Sequence, residues 1–482
     1  MAAGFVGRKA ELALLAKRLD RVRAERAGLA VAIRGRRQVG KSRLVQEFCD
    51  RAQVPYVFYT ATKGASSTEG VAAFLAELRD SGLPSDPDLV PASAQGWPDA
   101  FRILATALPD APSIVVIDEL PWLAEQDPLF DGALQTAWDR LLSRKPVLLL
   151  LLGSDIHMME RLTAYDRPFF GRADTLVLGP LNPAEIADAV GLAGADAIDA
   201  ALITGGLPGI VRAWPTGMAP VDFLESECAD PASVLVSIPE AVLLAEFPAP
   251  DQARRVLEAI GGGDRTFTNI AATAGSAAAP LASGLLSPLL RRLVDEKRVL
   301  AVDEPLSTKA GRPALYRVAD SNLRLYLAML REAQEQARRG RPQAAVSLVR
   351  RRWSSWRGRA VEPLIRQALE LAALAGELPW PDARVVGGWW NRQFNPEVDL
   401  IGADRGPVAG TVYYAGTIKW LNTPVDGREV ADLAVAAGQV PGFDRARCGL
   451  VVVSHSGLSP TVDTSLVDVH WGPAEVLAAW RS

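Results

Sequence analysis

The stretch Ile33–Leu44 reads IRGRRQVGKSRL, and within it Gly35-x-x-x-x-Gly40-Lys41-Ser42 has the spacing of a phosphate-binding loop. A triphosphate tail needs many donors converging at close range. Gly35 and Gly40 are expected to let the backbone take torsions that other residues resist, so that successive N–H groups point inward. Lys41 is placed to reach the β- and γ-phosphate oxygens, and the Ser42 hydroxyl to hold Mg²⁺. Gly35, Val39, Gly40, Lys41, Ser42 and Arg43 are the candidate nucleotide ligands, with ATP and Mg²⁺ as cofactors. The apolar run Leu29–Ile33 (LAVAI) reads as a strand entering the loop. Arg43–Arg51 reads as a helix leaving it, with its positive end toward the phosphates.

Working outward, the chain of 482 residues is long enough for about three or four domains. With 49% hydrophobic and 22% charged residues, its composition is that of an ordinary globular protein, neither disordered nor fibrous. A net charge of −4 and a pI near 5.7 exclude a protein that coats nucleic acid over its whole surface, though not one with a local basic face. Cys49, Cys228 and Cys448 lie far apart, with no C-x-x-C spacing, and only three histidines are scattered along the chain. This suggests neither a disulfide framework nor a zinc site and points to a reducing, cytoplasmic setting. MAAGFVGRKAEL has no apolar signal core. The most apolar run, Val147–Leu152, is far shorter than the ~20 residues of a membrane span, so no membrane partner is expected.

A phosphate loop needs a second half that manages the cation and water. Ser113–Ile117 (SIVVI) reads as a buried strand and ends in Asp118-Glu119. An acidic residue at such a strand end holds the Mg²⁺ shell, and an adjacent Glu can polarise the attacking water. Between these halves, Val54–Thr60 is strand-like, and Gly70–Asp80 and Phe101–Leu108 are helical. Apolar strands alternating with helices indicate a parallel sheet covered on both faces.

FVGRKAEL, RGRRQVGKSRL, VVIDELPWL and GSDIHMM resemble archaeal and bacterial ATPases of the AAA+/STAND type, of the MNS lineage. Such proteins join the ATPase core to a helical lid, a winged helix and a domain of the PD-(D/E)XK nuclease superfamily. The resemblance implies that Arg8 lies near the nucleotide base and that Ser154 senses the γ-phosphate. It also implies that Arg172 is an arginine finger or γ-phosphate sensor, acting in its own subunit or on a neighbour in a homo-oligomer. Gly206 and Pro208, in ITGGLPGIV, match a GGxP turn that presses the lid on the nucleotide.

The expected fold class is α/β. It comprises an AAA+-like P-loop NTPase parallel sheet (residues 1–179), a helical lid (180–248), a winged helix-turn-helix with a helical connector (249–345), and a C-terminal α/β restriction-endonuclease-like domain (346–482). Asn182-Pro183 with Glu185 reads as a helix start opening the lid, and Pro248–Pro250 as its end. Helices over Arg254–Ile260, Thr268–Thr273 and Leu285–Glu296, then strands Val299–Val302 and Leu315–Val318 around EPLSTKAGR, form the winged-helix pattern. Arg291, Arg292, Lys309 and Arg312 are its candidate DNA contacts. Ser321–Arg359 reads as helical and Arg-rich, with Trp353 and Trp356 among the arginines.

In the C-terminal part, Glu362, Asp399 and Lys419 match the nuclease pattern of a helix acid, a strand Asp and the Lys of Glu-x-Lys. Thr417 stands where the Glu belongs. A neutral hydroxyl does not replace an anionic metal ligand, so this site is expected to be degenerate unless Glu397 or Glu429 substitutes. Three functions follow: an ATPase switch associated with DNA, an ATP-gated metal-dependent nuclease, and a scaffolding or defence-type switch that never touches DNA.

Overall fold

The computed structural model describes residues 4–84, 86–162, 165, 169–247, 252–276, 279–311 and 313–481. The chain forms two compact units, Met1–Pro180 and Leu181–Ser482.

The first unit is built on five strands: β1 (Leu29–Arg34), β2 (Tyr56–Thr60), β3 (Ser113–Asp118), β4 (Val147–Gly153) and β5 (Ala173–Val177). They pair in the order β2-β3-β4-β1-β5, all parallel. β3 and β4, each with a continuous apolar run, are buried along their whole length, and because successive side chains point to opposite sides both faces are covered. Val115, Ile117, Leu149 and Leu151 meet an aromatic cluster of Phe74, Trp97, Phe101 and Phe130. Trp97 and Phe130 stand edge to face at 5.1 Å. Ile114, Val116, Leu148 and Leu150 instead meet Leu15, Leu19, Leu44 and Phe48 from helices Lys9–Glu25 and Lys41–Ala52. Each such side chain contributes ~1.5–3 kcal/mol relative to leaving it in water. Edge strand β5 was not legible in the sequence, since ADTLV is short and half exposed.

Leu181–Ser482 begins with helix Pro183–Val190, held by the expected start signal: Asn182 Oδ1 accepts from Glu185 N (2.8 Å) and Glu185 Oε2 from Asn182 N (3.0 Å). Helices Gly194–Thr204, Pro208–Ala213, Pro220–Ala229 and Val234–Glu246 follow. The expected boundary at Pro248–Pro250 lies outside the described residues. Next come helices Gln252–Gly262, Phe267–Ala274 and Ser283–Arg291, then the antiparallel pair β6 (Leu300–Asp303) and β7 (Leu315–Val318). The second of these helices starts one residue before the expected Thr268 and is capped by Thr266, whose side chain accepts from Asn269 N.

The last five strands are β8 (Val385–Trp390), β9 (Glu397–Ala403), β10 (Val412–Lys419), β11 (Gly449–Ser454) and β12 (Val469–Trp471), in the order β12-β11-β10-β9-β8. β8, β9 and β10 pair antiparallel, whereas β10, β11 and β12 pair parallel. Helix Glu362–Leu374 covers this sheet and shares a core with Ile198 and Leu202 of the expected lid. One helix, Pro342–Ala360, runs through the boundary expected at residues 345/346. That helix carries Arg357, whose Nη1 pairs with Asp199 Oδ2 at 2.8 Å, the two side chains being 8% and 5% exposed. Arg357 also donates to Asn422 Oδ1 (2.9 Å), and Trp420 Nε1 donates to Asp199 Oδ1 (3.3 Å).

Cys49, Cys228 and Cys448 are free and buried. Burial pushes the Cys49 and Cys228 thiols up to about 12, which keeps them unreactive. Among the described residues no single helix is long and apolar enough to cross a membrane.

Removing one partner of a buried pair strands the other charge, so Arg357→Ala is expected to cost about 3–5 kcal/mol. Urea denaturation of the full chain checks this, and a loss below about 1 kcal/mol would show that Asp199 finds other compensation.

Candidate nucleotide-binding site

Because β4 lies between β1 and β3, the carboxyl ends of these three strands bring together segments distant in sequence: the loop 35–42, Ser154 and Asp118-Glu119. The glycine-rich loop makes its turn with Gly40 at φ 89° and Gln38 at φ 67°, both left-handed. Gly35 does not take a positive φ. It is glycine because a Cβ there would sit 2.3 Å from the Leu178 carbonyl oxygen. The requirement at Gly35 is therefore close approach of the backbone after β5, which corrects the expectation of an unusual torsion.

Lys41 opens helix Lys41–Ala52 and is only 6% exposed. Its Nζ donates to the Gly35 carbonyl (2.7 Å) and the Arg36 carbonyl (3.0 Å), folding the ammonium back over the loop. Burial lowers its pKa to about 8, against the opposing pull of Glu119 and Asp118. Asp118 is 3% exposed, and its carboxyl is raised above the usual range by burial, opposed by a hydrogen bond from Ser42. The Ser42 hydroxyl and the Asp118 carboxylate thus meet, an oxygen pair of the kind a hard cation takes alongside phosphate and water.

Glu119 stands in the left-handed region at φ 54°, which costs a residue with a Cβ roughly 1–2 kcal/mol. Its backbone N–H donates to Asp118 Oδ1 (2.9 Å), and its Oε2 accepts from Ser154 Oγ (2.8 Å) and Ser154 N (3.4 Å). Ser154, at the end of β4, therefore grips the carboxylate expected to orient water.

Other expected residues have different partners. Arg8 donates to the Val39 carbonyl (3.0 Å) and the Gly179 carbonyl (2.6 Å) and pairs with Glu11 (3.0 Å). It braces the loop from outside. Val39 is buried in the core, and Arg43 pairs with Glu47 on the helix surface. Arg172 grips Asp139 with Nε and Nη2, at 2.7 and 2.8 Å, so meeting a γ-phosphate would require breaking this fork. In the second unit, Gly205 and Gly206 both take positive φ, and Pro208 starts its helix. A Cβ on Gly205 would meet Asn322 at 2.8 Å. Asn322 Nδ2 and Ser321 Oγ donate to the Ile203 and Leu202 carbonyls. The sequence does not reveal these braces, nor Gln38 and Glu119 as left-handed positions, because such torsions carry no reliable residue signature outside glycine.

The carboxylates of the C-terminal sheet are already engaged. Asp399 Oδ2 accepts from Thr417 Oγ1 (2.8 Å) and Ile418 N (2.9 Å), Lys419 pairs with Glu429 (3.2 Å), and Glu362 pairs with Arg366 (3.1 Å). Arg366 also donates to the Asp399 carbonyl. Burial raises the Glu362 carboxyl above its usual range, and the nearby Asp399 charge adds to this. Glu397 faces Arg265 at 3.8 Å, and Glu429 is further tied to the Asp426 amide. Among the described residues no group of three or more His, Cys, Asp or Glu is arranged to hold a metal ion.

Arg291 and Arg292 are exposed. Lys309 is exposed as well, but its loop is not free: Leu306 N donates to Gly388 O (2.8 Å), Ala409 N to Ser307 O (2.9 Å) and Thr308 N to Pro441 O (3.1 Å). The expected free wing is seated on the C-terminal sheet, with Leu306 buried among Trp389, Val398 and Ile401. Arg312 lies outside the described residues.

Residues 4–150 match the AAA ATPase domain family. Over 403 residues the chain is 24% identical to an uncharacterized protein of Methanocaldococcus jannaschii, covering 82% of this chain and 84% of that one. It is similar to the Walker-type ATPase of Pyrococcus abyssi, at 18% identity and a TM-score of 0.44, covering 67% of this chain and 96% of that one. It is also similar to the ORC2 protein of Aeropyrum pernix in its ADPNP-ADP complexes, at 14% identity and a TM-score of 0.44, covering 69% of this chain and 95% of that one. The matched stretch contains both the glycine-rich loop and Asp118-Glu119, so the site described above is that of an AAA ATPase domain.

A buried lysine lowered to about 8 regains its proton when phosphate oxygens surround it. ATP binding at pH 8.5 should therefore take up roughly half a proton or more per site, and almost none at pH 7. Calorimetry in buffers of different ionisation enthalpy measures this, and no uptake at either pH would mean that Lys41 is charged throughout.

Proposed function

We propose that the chain is a cytoplasmic Mg-ATP-dependent switch of STAND/AAA+ type, whose turnover rearranges a winged-helix module and a nuclease-like domain that associate with DNA. The observation that carries the ATPase part is the meeting of Lys41, Ser42, Asp118, Glu119 and Ser154 at three adjacent strand ends. Mg-ATP, when bound, supplies the phosphoryl group and the charge that neutralises it. Lys41 would leave the Gly35 and Arg36 carbonyls to meet phosphate oxygens, and Ser42 and Asp118 would hold the cation. Glu119 orients water and accepts its proton, and Ser154 holds Glu119 until the reacting geometry forms. Within the second unit, Leu181–Thr204 and the C-terminal sheet share a core of Ile198, Leu202 and the Asp199–Arg357 pair, so a change in one is expected to reach the other.

The nuclease alternative is disfavoured by the Thr417–Asp399 and Lys419–Glu429 contacts, which use the groups a metal would need. The scaffolding alternative gains from the seated loop 306–308, since a wing spent on intramolecular contacts is a structural joint. DNA association then rests on the exposed Arg291 and Arg292.

Lys41→Ala is expected to abolish magnesium-dependent ATP binding, and Glu119→Gln to keep binding while lowering turnover by about 10²–10⁴-fold. Ser154→Ala should alter turnover with binding retained. Normal hydrolysis by the Glu119 variant would remove it as the base. For DNA, Arg291→Ala with Arg292→Ala should weaken duplex binding and lower the slope of log affinity against log salt by about two. An unchanged slope would favour scaffolding, and Mg²⁺- or Mn²⁺-dependent cleavage lost in Asp399→Ala would restore the nuclease reading.

A further inference from the structure

Within Leu181–Ser482 lies an open cleft of about 520 Å³, in the size range of small-ligand sites. It is walled by the glycines 261–263 that end helix Gln252–Gly262, the β6–β7 hairpin, the arginine-rich helix Pro342–Ala360 and the first turn of helix Glu362–Leu374. Eight lining residues are arginine against three carboxylates, Asp303, Glu332 and Glu362, and none is lysine. The acids are already taken: Asp303 by Arg317 (3.1 Å), Glu332 by Arg352 (2.8 Å) and Glu362 by Arg366 (3.1 Å). Arg331 finds Glu258 at 2.6 Å.

Arg324, Arg351 and Arg359 remain, with no acidic partner within ion-pair distance among the described residues. Arg324 Nη1 has only the Arg359 carbonyl, at 3.3 Å, and burial brings its pKa down to about 10. Glu362 and Asp303 lie near enough to oppose that shift, but both are already paired with other arginines, and a planar fork of donors matches phosphate oxygens. The wall also offers flat faces. Trp356 stacks on Trp353 (5.6 Å, 28°), and its indole N–H is buried with no acceptor among the described residues; Tyr316 lies on the hairpin side. Aromatic rings among arginines suit a base joined to phosphates.

We propose that this cavity is an anion site separate from the glycine-rich loop, taking a nucleotide with two or more phosphates. The phosphates lie on Arg324, Arg351 and Arg359, and the base beside Trp356 and Tyr316. Such a ligand would clamp hairpin, connector and C-terminal domain together, making the second unit responsive to a nucleotide of its own.

The test uses the full chain carrying Lys41→Ala, which silences the glycine-rich loop, titrated calorimetrically with ADP, GDP and pyrophosphate. One saturable nucleotide site is expected, weakened about tenfold or more by Arg351→Ala with Arg359→Ala, both exposed positions whose change leaves the core intact. Should Lys41→Ala not fold, stoichiometry decides instead: two nucleotides per wild-type chain, and one in the double arginine variant. The proposal is overturned by a wild-type stoichiometry of one with no nucleotide binding in the Lys41 variant, or by equal affinity in the double arginine variant. Pyrophosphate binding as tightly as either nucleotide, or the double variant losing only duplex DNA, would overturn it as well.

Discussion

A lysine ammonium drawn into a nearly dry loop is the constraint on which the first unit depends. Lys41 is held by two backbone carbonyls, with its charge disfavoured by burial and supported only by Asp118 and Glu119. Such a group is tolerated because the sheet around it is stable. Leu148, Leu150 and Val116 on one face of that sheet pack against Leu44 and its neighbours, and the aromatic cluster around Trp97 packs against the other face. Hydrophobic burial on both faces offsets the strain of Glu119 and the cost of two buried ionisable groups. The result is a site preorganised for negative charge.

The second unit is held together by a different device. Asp199 and Arg357 come from segments 158 residues apart, and Trp420 and Asn422 complete their hydrogen bonds. Segments that read as separate lid and C-terminal domains therefore share one interior. The loop of the β6–β7 hairpin reinforces this by giving its backbone donors and acceptors to the sheet beside it, which leaves little of that loop free to read a groove. One consequence is the arginine-lined cavity, which needs the hairpin, the connector and helix Glu362–Leu374 side by side.

In the C-terminal sheet the charged groups are paired among themselves. The Thr417 hydroxyl donates to Asp399, Lys419 pairs with Glu429, and Arg366 pairs with Glu362. Each charge that a metal-dependent reaction would use finds an internal partner.

Much of this was legible in the residues. The spacing from Gly35 to Ser42, the apolar runs that became β1, β3 and β4, the acidic pair after SIVVI and the Asn182–Glu185 helix start depend on neighbours within a few residues, where period and capping chemistry decide. Tertiary structure alone decided why Gly35 must be glycine, since the Leu178 carbonyl that excludes a Cβ is over 140 positions away. It also decided that Ser154 grips Glu119, that Arg172 answers to Asp139 and that the loop between β6 and β7 is tied to the C-terminal segments beside it. The physical reason is that local sequence sets torsions and periodicity, whereas the partner of a buried polar group is whichever distant one the packing delivers to it.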